Sequence, residues 1–322
     1  MGHITPLIAI INHFKDKHNF IYFGLKGGME EEVCKREKIQ FHPLVLKPFN
    51  RKNILSNIKT FYLILKERKN IIKSFKDKPN VIISTGGFVS IPLLFSFKKC
   101  KKILLESNST MGLANKLILN ICDHLAVNFP TINNKKTVHI GNPIKLFKSN
   151  FDDYFFYLNK ELILFIGGSN GAFEIVKAAY DFNLKYPDVY LMVITGEHYF
   201  ETFKFNDKVK VYKRINNVSG IFEKFKLIVS RSGAATITEL LLAKSLFVLI
   251  PSHNVTGNHQ VLNAKYLDDL GICEVVYDIK DGSYLDTIYF LYKNDKLSSK
   301  YFINREKLIS LNTFEKLEKL FE

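Results

Sequence analysis

Several features that mark spanning, exported or metal-binding proteins are missing from this 322-residue chain. No run of about 18 uninterrupted apolar residues occurs, which argues against a membrane-spanning helix. The N-terminus has no basic segment followed by an apolar run and a small-residue cleavage site, so a secretory signal is not expected. Cysteine is scarce: Cys34, Cys100, Cys122 and Cys273 stand apart without C-x-x-C spacing, which argues against a zinc site or a redox pair and fits a reducing cytoplasm. No Asp-x-Asp sits in a metal-binding context, and no internal repeat or low-complexity tract is evident. Acidic residues are also short in supply, 31 Asp and Glu against 46 Lys and Arg, for a net charge of +15. That excess favours anionic partners, although lysine is spread along most of the chain and part of it is compositional drift. A nucleic-acid-binding reading finds lysines but no recognised motif or aromatic RNA-binding signature.

What is present is a chain that is 47% hydrophobic and long enough for two domains. Apolar runs alternate with amphipathic segments, the pattern of βαβ units and a parallel sheet covered on both faces. Strands are expected at 20–23, 41–46, 81–84, 102–105, 124–127 and 138–140, then at 161–166, 189–194, 209–212, 227–230, 245–250 and 273–276. Helices are expected in the first half at 29–37, 53–75, 89–97 and 112–120. Gly141-Asn142-Pro143 is a turn signal that closes the first half. The expected division is therefore 1–145, 146–300 and a terminal helix over 301–322, whose Phe302, Leu308, Leu311, Phe314, Leu317 and Leu320 have helical spacing suited to packing back on the first domain.

Three glycine-containing turns fall where a strand gives way to a helix: Ser84-Thr85-Gly86-Gly87-Phe88, Ile166-Gly167-Gly168-Ser169-Asn170-Gly171-Ala172 and Ser230-Arg231-Ser232-Gly233-Ala234. Ligands of open α/β sheets collect beyond the carboxyl ends of the strands, so three such turns point to a phosphate-containing ligand, while any single one is also compatible with a tight βα connection. Glu239 follows the third turn on its helix, where a carboxylate can accept from a pair of sugar hydroxyls or merely be solvated. The polar segment from Pro251 to Gln260, with His253, Asn254, Asn258 and His259, suits a hydroxyl-rich group or an Asn- and Gly-rich turn. Met1-Gly2-His3-Ile4-Thr5-Pro6 reads as the tail of a glycine-rich loop opening a helix, with no strand before it. Residues 46–78 carry ten basic side chains against Glu67 and Asp77, beside Ile54, Leu55, Ile58, Phe61, Tyr62, Leu65 and Ile72. Either this helix lies on an anionic lipid surface or its apolar residues face the core and its lysines face water.

Taken in order, these motifs resemble the MurG family, peripheral-membrane N-acetylglucosaminyltransferases that convert lipid I to lipid II in peptidoglycan synthesis. The resemblance rests on Gly2-His3 with Pro6, Thr85-Gly86-Gly87-Phe88-Val89-Ser90, Glu106-Ser107-Asn108 with Leu113 and Asn115-Lys116, Gly141-Asn142-Pro143, Gly167 to Ala172, Arg231-Ser232-Gly233-Ala234 through Glu239, and Asn254-Val255-Thr256 through Asn258-His259-Gln260 with Asn263-Ala264. It implies an α/β fold of the GT-B type, two Rossmann-like doubly wound domains facing a cleft, with UDP-GlcNAc on the C-terminal domain and lipid I on the N-terminal one. By the same resemblance Gly168, Ser169 and Asn170 lie near the donor pyrophosphate with Arg231 and Ser232 close by, Glu239 holds the ribose, and His259 with Gln260 reads the GlcNAc. Asn108 and Lys145 are further substrate-binding candidates. The implied location is the cytoplasmic face of the cell membrane, against anionic inner-leaflet phospholipid, with no nucleic acid as partner.

The chemistry so implied is displacement at the anomeric carbon by the acceptor 4-hydroxyl, with inversion and departure of UDP. Helix N-termini and backbone amides suit the leaving diphosphate, so neither a metal nor another cofactor is required. The base is His3 or Glu106: a neutral imidazole titrates near physiological pH, and each residue has a plainer reading, His3 as a helix cap and Glu106 as an organiser of the Asn108 loop. Relatives outside lipid I chemistry, such as a glycolipid glycosyltransferase, share the donor features, and a truncated, inactive homologue is a further reading. Lys145 stands where many members carry Arg, and Ser107 where Gln is common. The first strand and most of the first glycine loop are absent from the sequence. In a doubly wound domain that strand is central, so its two neighbours are expected to lack a ladder partner.

Overall fold

The computed structural model describes residues 3–50, 57–75, 77–144, 149–158, 160–168, 171–243, 245–306, 308 and 312–322; the side chains of residues 256 and 295–300 are not described. Lys145, Ser169 and Asn170, with Gly2, Ile54 and Leu55, lie outside the described residues. The chain divides into two compact units, Met1–Pro143 with Ser310–Glu322, and Ile144–Ile309.

In the first unit, helix α1 (Ile4–Phe14) is followed by strand β1 (Tyr22–Leu25), α2 (Met29–Arg36), β2 (Phe41–Leu44), α3 (Asn57–Ser74), β3 (Val81–Ser84), α4 (Ile91–Ser96), β4 (Lys101–Glu106), α5 (Leu113–Ile118), β5 (His124–Val127) and β6 (Thr137–His139). All strand pairs are parallel, in two separate sheets: β1-β2 and β3-β4-β5-β6. Among the described residues β1 pairs only with β2 and β3 only with β4. Pro43 sits in β2, an edge strand, where a missing N–H costs no ladder bond. Helix α3 runs opposite to the amphipathic norm. Its buried stripe is Thr60, Ile64, Glu67 and Ile71, whereas Ile58, Phe61, Tyr62, Leu65 and Ile72 stand exposed with Lys59, Lys66, Lys69 and Lys73.

The second unit contains β7 (Leu162–Ile166), α6 (Phe173–Lys185), β8 (Tyr190–Ile194), β9 (Val209–Tyr212), β10 (Leu227–Ser230), α7 (Ala234–Leu242), β11 (Leu246–Leu249), α8 (His259–Asp269), β12 (Glu274–Val275), α9 (Ser283–Lys293) and α10 (Asp295–Glu306). Its six strands form one parallel sheet in the order β12-β11-β10-β7-β8-β9. The continuous apolar runs of β7, β10 and β11 are buried at every residue, as expected of strands covered on both faces.

The C-terminal segment is not one helix. Tyr301 packs in the core of the second unit, and Arg305 of α10 donates its guanidinium hydrogens to the carbonyls of Ala243 and Ser245. The following helix, α11 (Thr313–Glu318), belongs to the first unit: Leu317 and Leu320 join Ile10, Phe14, Ile103 and Ala126 in one cluster, and Lys17 donates to Glu318 at 2.6 Å.

Candidate active site

In the second unit the chain leaves the sheet centre in both directions. β7, β8 and β9 are laid down in turn toward one edge of the sheet, and β10, β11 and β12 toward the other, all of them parallel. The connections therefore diverge between β7 and β10, the position at which doubly wound sheets open a crevice beyond their carboxyl ends. Ile166 and Ser230 are register partners, so Gly167-Gly168 and Arg231-Ser232 leave the sheet side by side. The first of these turns demands glycine. Gly168 and Gly171 have φ of +82° and +75°, and a Cβ on Gly171 would stand 2.1 Å from the Thr195 carbonyl oxygen. A Cβ on Gly167 would stand 2.4 Å from the Ala172 nitrogen. The close packing brings the N-terminus of α6, the helix end that carries a partial positive charge, to the end of β7.

The second turn is fastened from the other side. Ser232 is fully buried; its hydroxyl donates to the Gln260 carbonyl at 2.8 Å, and Asn263 Nδ2 donates to the Ser232 carbonyl at 3.2 Å. Gln260 Oε1 accepts from the Ser252 amide at 2.9 Å, which ties the polar segment 251–260 to α8. Gly257 and Asn258 are both left-handed, φ +71° and +54°, and precede the His259 ring, whose Nδ1 is buried with no hydrogen-bond partner among the described residues. Arg231 is 8% exposed; its Nη1 donates to the Ile250 carbonyl at 3.0 Å and its Nη2 to Glu174 in the first turn of α6. Glu239, on α7, is pushed up to about 7 by burial, against a hydrogen bond with Ser219 that lowers it.

In the first unit the corresponding feature is a carboxylate. Glu106 ends β4, is 4% exposed, and accepts from the Asn108 amide (3.1 Å), Asn108 Nδ2 (3.2 Å), the Gly112 amide (3.2 Å) and Asn115 Nδ2 (2.8 Å). Asn115 Oδ1 in turn accepts from the Gly87 amide at 3.4 Å, so one carboxylate organises both the 107–112 loop and the Gly86-Gly87 turn. An open pocket of roughly 380 Å³ lies beside this loop, among Ser109, Met111, Lys116, Thr131 and Asn134. His3 is exposed at the N-cap position of α1, and its side chain makes no capping hydrogen bond among the described residues.

Two family models match the chain: the glycosyltransferase family 28 N-terminal domain over residues 1–127 and the family 28 C-terminal domain over residues 162–287. Among curated proteins, the UDP-N-acetylglucosamine--N-acetylmuramyl-(pentapeptide) pyrophosphoryl-undecaprenol N-acetylglucosamine transferase of Thermoanaerobacter sp. (strain X514) is 32% identical, with 100% of this chain and 96% of the relative covered. The chain belongs to the MurG family. A Lactobacillus helveticus protein of the same name is 31% identical, over 92% of this chain and 89% of its own. The crystal structure of Acinetobacter baumannii MurG superposes with a TM-score of 0.75 at 19% identity, covering 99% and 96% of the two chains. The fold is the GT-B type, and the chain is a UDP-sugar-dependent glycosyltransferase.

Of the residues singled out from the sequence, Gly168, Arg231 and Ser232 lie at the adjoining ends of β7 and β10, Gln260 is stitched to Ser232 with His259 beside it in sequence, and Glu239 lies on α7, which follows the Arg231-Ser232 turn. Glu106 and Asn108 share one loop of the first unit, and His3 opens its first helix. Glu174 and Asn115 take part in the two networks more directly than their sequence neighbourhood suggests. Asn115 was visible within the family motif; nothing local marks Glu174.

Proposed function

We propose that the protein transfers N-acetylglucosamine from UDP-GlcNAc to the 4-hydroxyl of the lipid I muramoyl residue, with inversion at the anomeric carbon, forming lipid II. The observation that carries the donor half is the pair of turns at the adjoining ends of β7 and β10, where Gly168, the N-terminus of α6 and the Arg231-Ser232 backbone come together, a setting suited to a diphosphate. In this reading Ser169 and Asn170 complete the pyrophosphate loop, Glu239 accepts from the ribose hydroxyls, and His259 and Gln260 face the sugar. Lys145 adds a positive charge. On the acceptor half, the four donors on Glu106 favour it as the organiser of the Asn108 loop and leave His3, exposed and not bound as a cap, as the base. The activity for which the curated relatives are named supports this donor and acceptor pair.

The same reading places the enzyme peripherally on the cytoplasmic face of the membrane. No helix among the described residues is long and apolar enough to cross a bilayer. The outward stripe of α3, with its interleaved lysines, instead suits the surface of anionic inner-leaflet phospholipid, which the acceptor's lipid tail also requires.

The test is transfer from UDP-GlcNAc to lipid I in detergent, with diacylglycerol as the competing acceptor. Lipid II is the expected product. His3→Ala is expected to lose about 10²- to 10⁴-fold in turnover while binding UDP-GlcNAc as the parent does. Full activity in that variant removes His3 from the mechanism, and preference for diacylglycerol overturns the acceptor.

A further inference from the structure

Arg231 has a counter-ion of its own chain. Its guanidinium is nearly buried and points from the end of β10 across the end of β7, where Nη2 meets the carboxylate of Glu174. The two side chains differ in access to water: that of Arg231 is 10% exposed and that of Glu174 41%. Burial lowers the Arg231 pKa while Glu174 raises it, so the cation depends on a nearby anion. Glu174 also sits in the first turn of α6, where its charge satisfies the same helix end that opens the crevice. An entering diphosphate would therefore meet both of Glu174's electrostatic partners. Arg231 is held from the other side by the Ile250 carbonyl and stays where it is; the exposed carboxylate is the group that can turn out to water.

We propose that Glu174 is a positioning residue that acts through Arg231, serving as the guanidinium's counter-ion in the empty site and yielding it to the nucleotide diphosphate. The exchange spares Arg231 from ever being a buried, unpaired charge. It also limits nucleotide affinity, because part of the diphosphate's attraction is offset by breaking the resident pair. UDP then leaves readily after transfer, as Glu174 returns to Arg231. This inference rests on the donor site proposed above.

The experiment is calorimetric titration of the full chain with UDP and with UDP-GlcNAc at fixed pH, for the parent, Glu174→Gln, Arg231→Gln and the double variant. Glu174→Gln is expected to bind UDP about five- to tenfold more tightly, by removal of a competing charge at a partly buried pair. In steady state its donor KM falls, its kcat does not rise, and UDP inhibits at lower concentration. The gain should vanish in the Arg231→Gln background. Chloride should also weaken UDP binding more steeply in Glu174→Gln than in the parent, since a salt anion then takes the vacated place. A purely structural ion pair would lower the melting temperature without tightening UDP. Unchanged or weaker UDP binding by Glu174→Gln, with the parent binding normally, overturns the proposal; failure of the parent to bind UDP overturns the donor-site reading instead. If Arg231→Gln does not fold, the chloride dependence of Glu174→Gln decides the question alone.

Discussion

The two units use the same parallel-sheet grammar but stabilise their loops differently. In the second, six strands form one sheet, and β7 and β10 at its centre are buried at every position. In the first, β3 alternates between buried and half-buried residues, β1 does the same, and the two strands sit in separate sheets. The Gly167-to-Gly171 turn of the second unit is accordingly held by backbone against backbone, Gly171 against the Thr195 carbonyl and Gly167 against Ala172. The Gly86-Gly87 turn of the first unit is held by side chains, Asn115 and behind it Glu106. A frame made of backbone cannot give way, whereas a side chain can rotate.

Equivalent glycine substitutions should expose that contrast most strongly. Gly171→Ala forces a left-handed residue against a fixed carbonyl and is expected to cost about 3 kcal/mol or more and to abolish UDP-GlcNAc binding. Gly86→Ala places its Cβ 1.6 Å from Asn115 Oδ1, but that amide can turn aside. Its cost should be nearer 2 kcal/mol, from the left-handed residue and the hydrogen bond to Glu106 that is lost. Chemical denaturation of both variants measures the difference, and the reverse ranking would contradict the comparison. Hydrogen exchange probes the same contrast without mutation. Amides of β1 and β3 should exchange on the order of 100-fold faster than those of β7 and β10, because strands that end a sheet open locally at lower cost. Equal protection would mean that the separate sheets of the first unit open as cooperatively as the single sheet of the second.

A smaller effect tests the surfaces. Exposed apolar side chains of the second unit, such as Leu184, Phe290 and Ile303, are scattered over separate elements, whereas those of α3 share one stripe. Replacing Phe61 and Leu65 together by Ser should reduce binding to anionic vesicles about tenfold and change stability by no more than about 0.5 kcal/mol. Parent protein that binds neutral vesicles equally at high salt would remove the electrostatic part of that attachment.

How much of this was legible in the sequence follows from the range of the interactions. Strands at 81–84, 124–127, 209–212 and 227–230 occupy the expected residues because a short apolar run between turn signals carries its own information. The glycine turns were legible for the same reason. Periodicity could place an apolar stripe on α3 but not say which way it faced, since helical spacing is the same for a core face and a lipid face. The terminal helix expected over 301–322 divides because Arg305 finds carbonyl partners some 60 residues away while Leu317 and Leu320 pack on α1. Glu174 was invisible for the same cause: its partner is 57 residues distant, and an acidic residue in a first helical turn looks like ordinary dipole compensation.

The mildest effect concerns a single proton on the backbone-held side. Burial raises Glu239 to about 7, so the empty site holds the carboxyl proton more tightly than the unfolded chain, whose carboxyl titrates near 4.5. Stability from this group is therefore fully present below about 4.5 and is lost as pH rises through about 7. Ligand binding has the opposite sign. In the proposed donor site ribose hydroxyls would donate to the ionised form, so nucleotide binding should lower the pKa and release a proton. Affinity for UDP-GlcNAc should then rise severalfold between pH 6 and 8 and level off above, at most about tenfold per pH unit. Glu239→Gln removes the titrating group and should flatten the profile while weakening binding at pH 8. A parent profile already flat across that range would mean that the carboxylate does not meet the ribose, and the donor would then be held from the diphosphate and sugar ends alone.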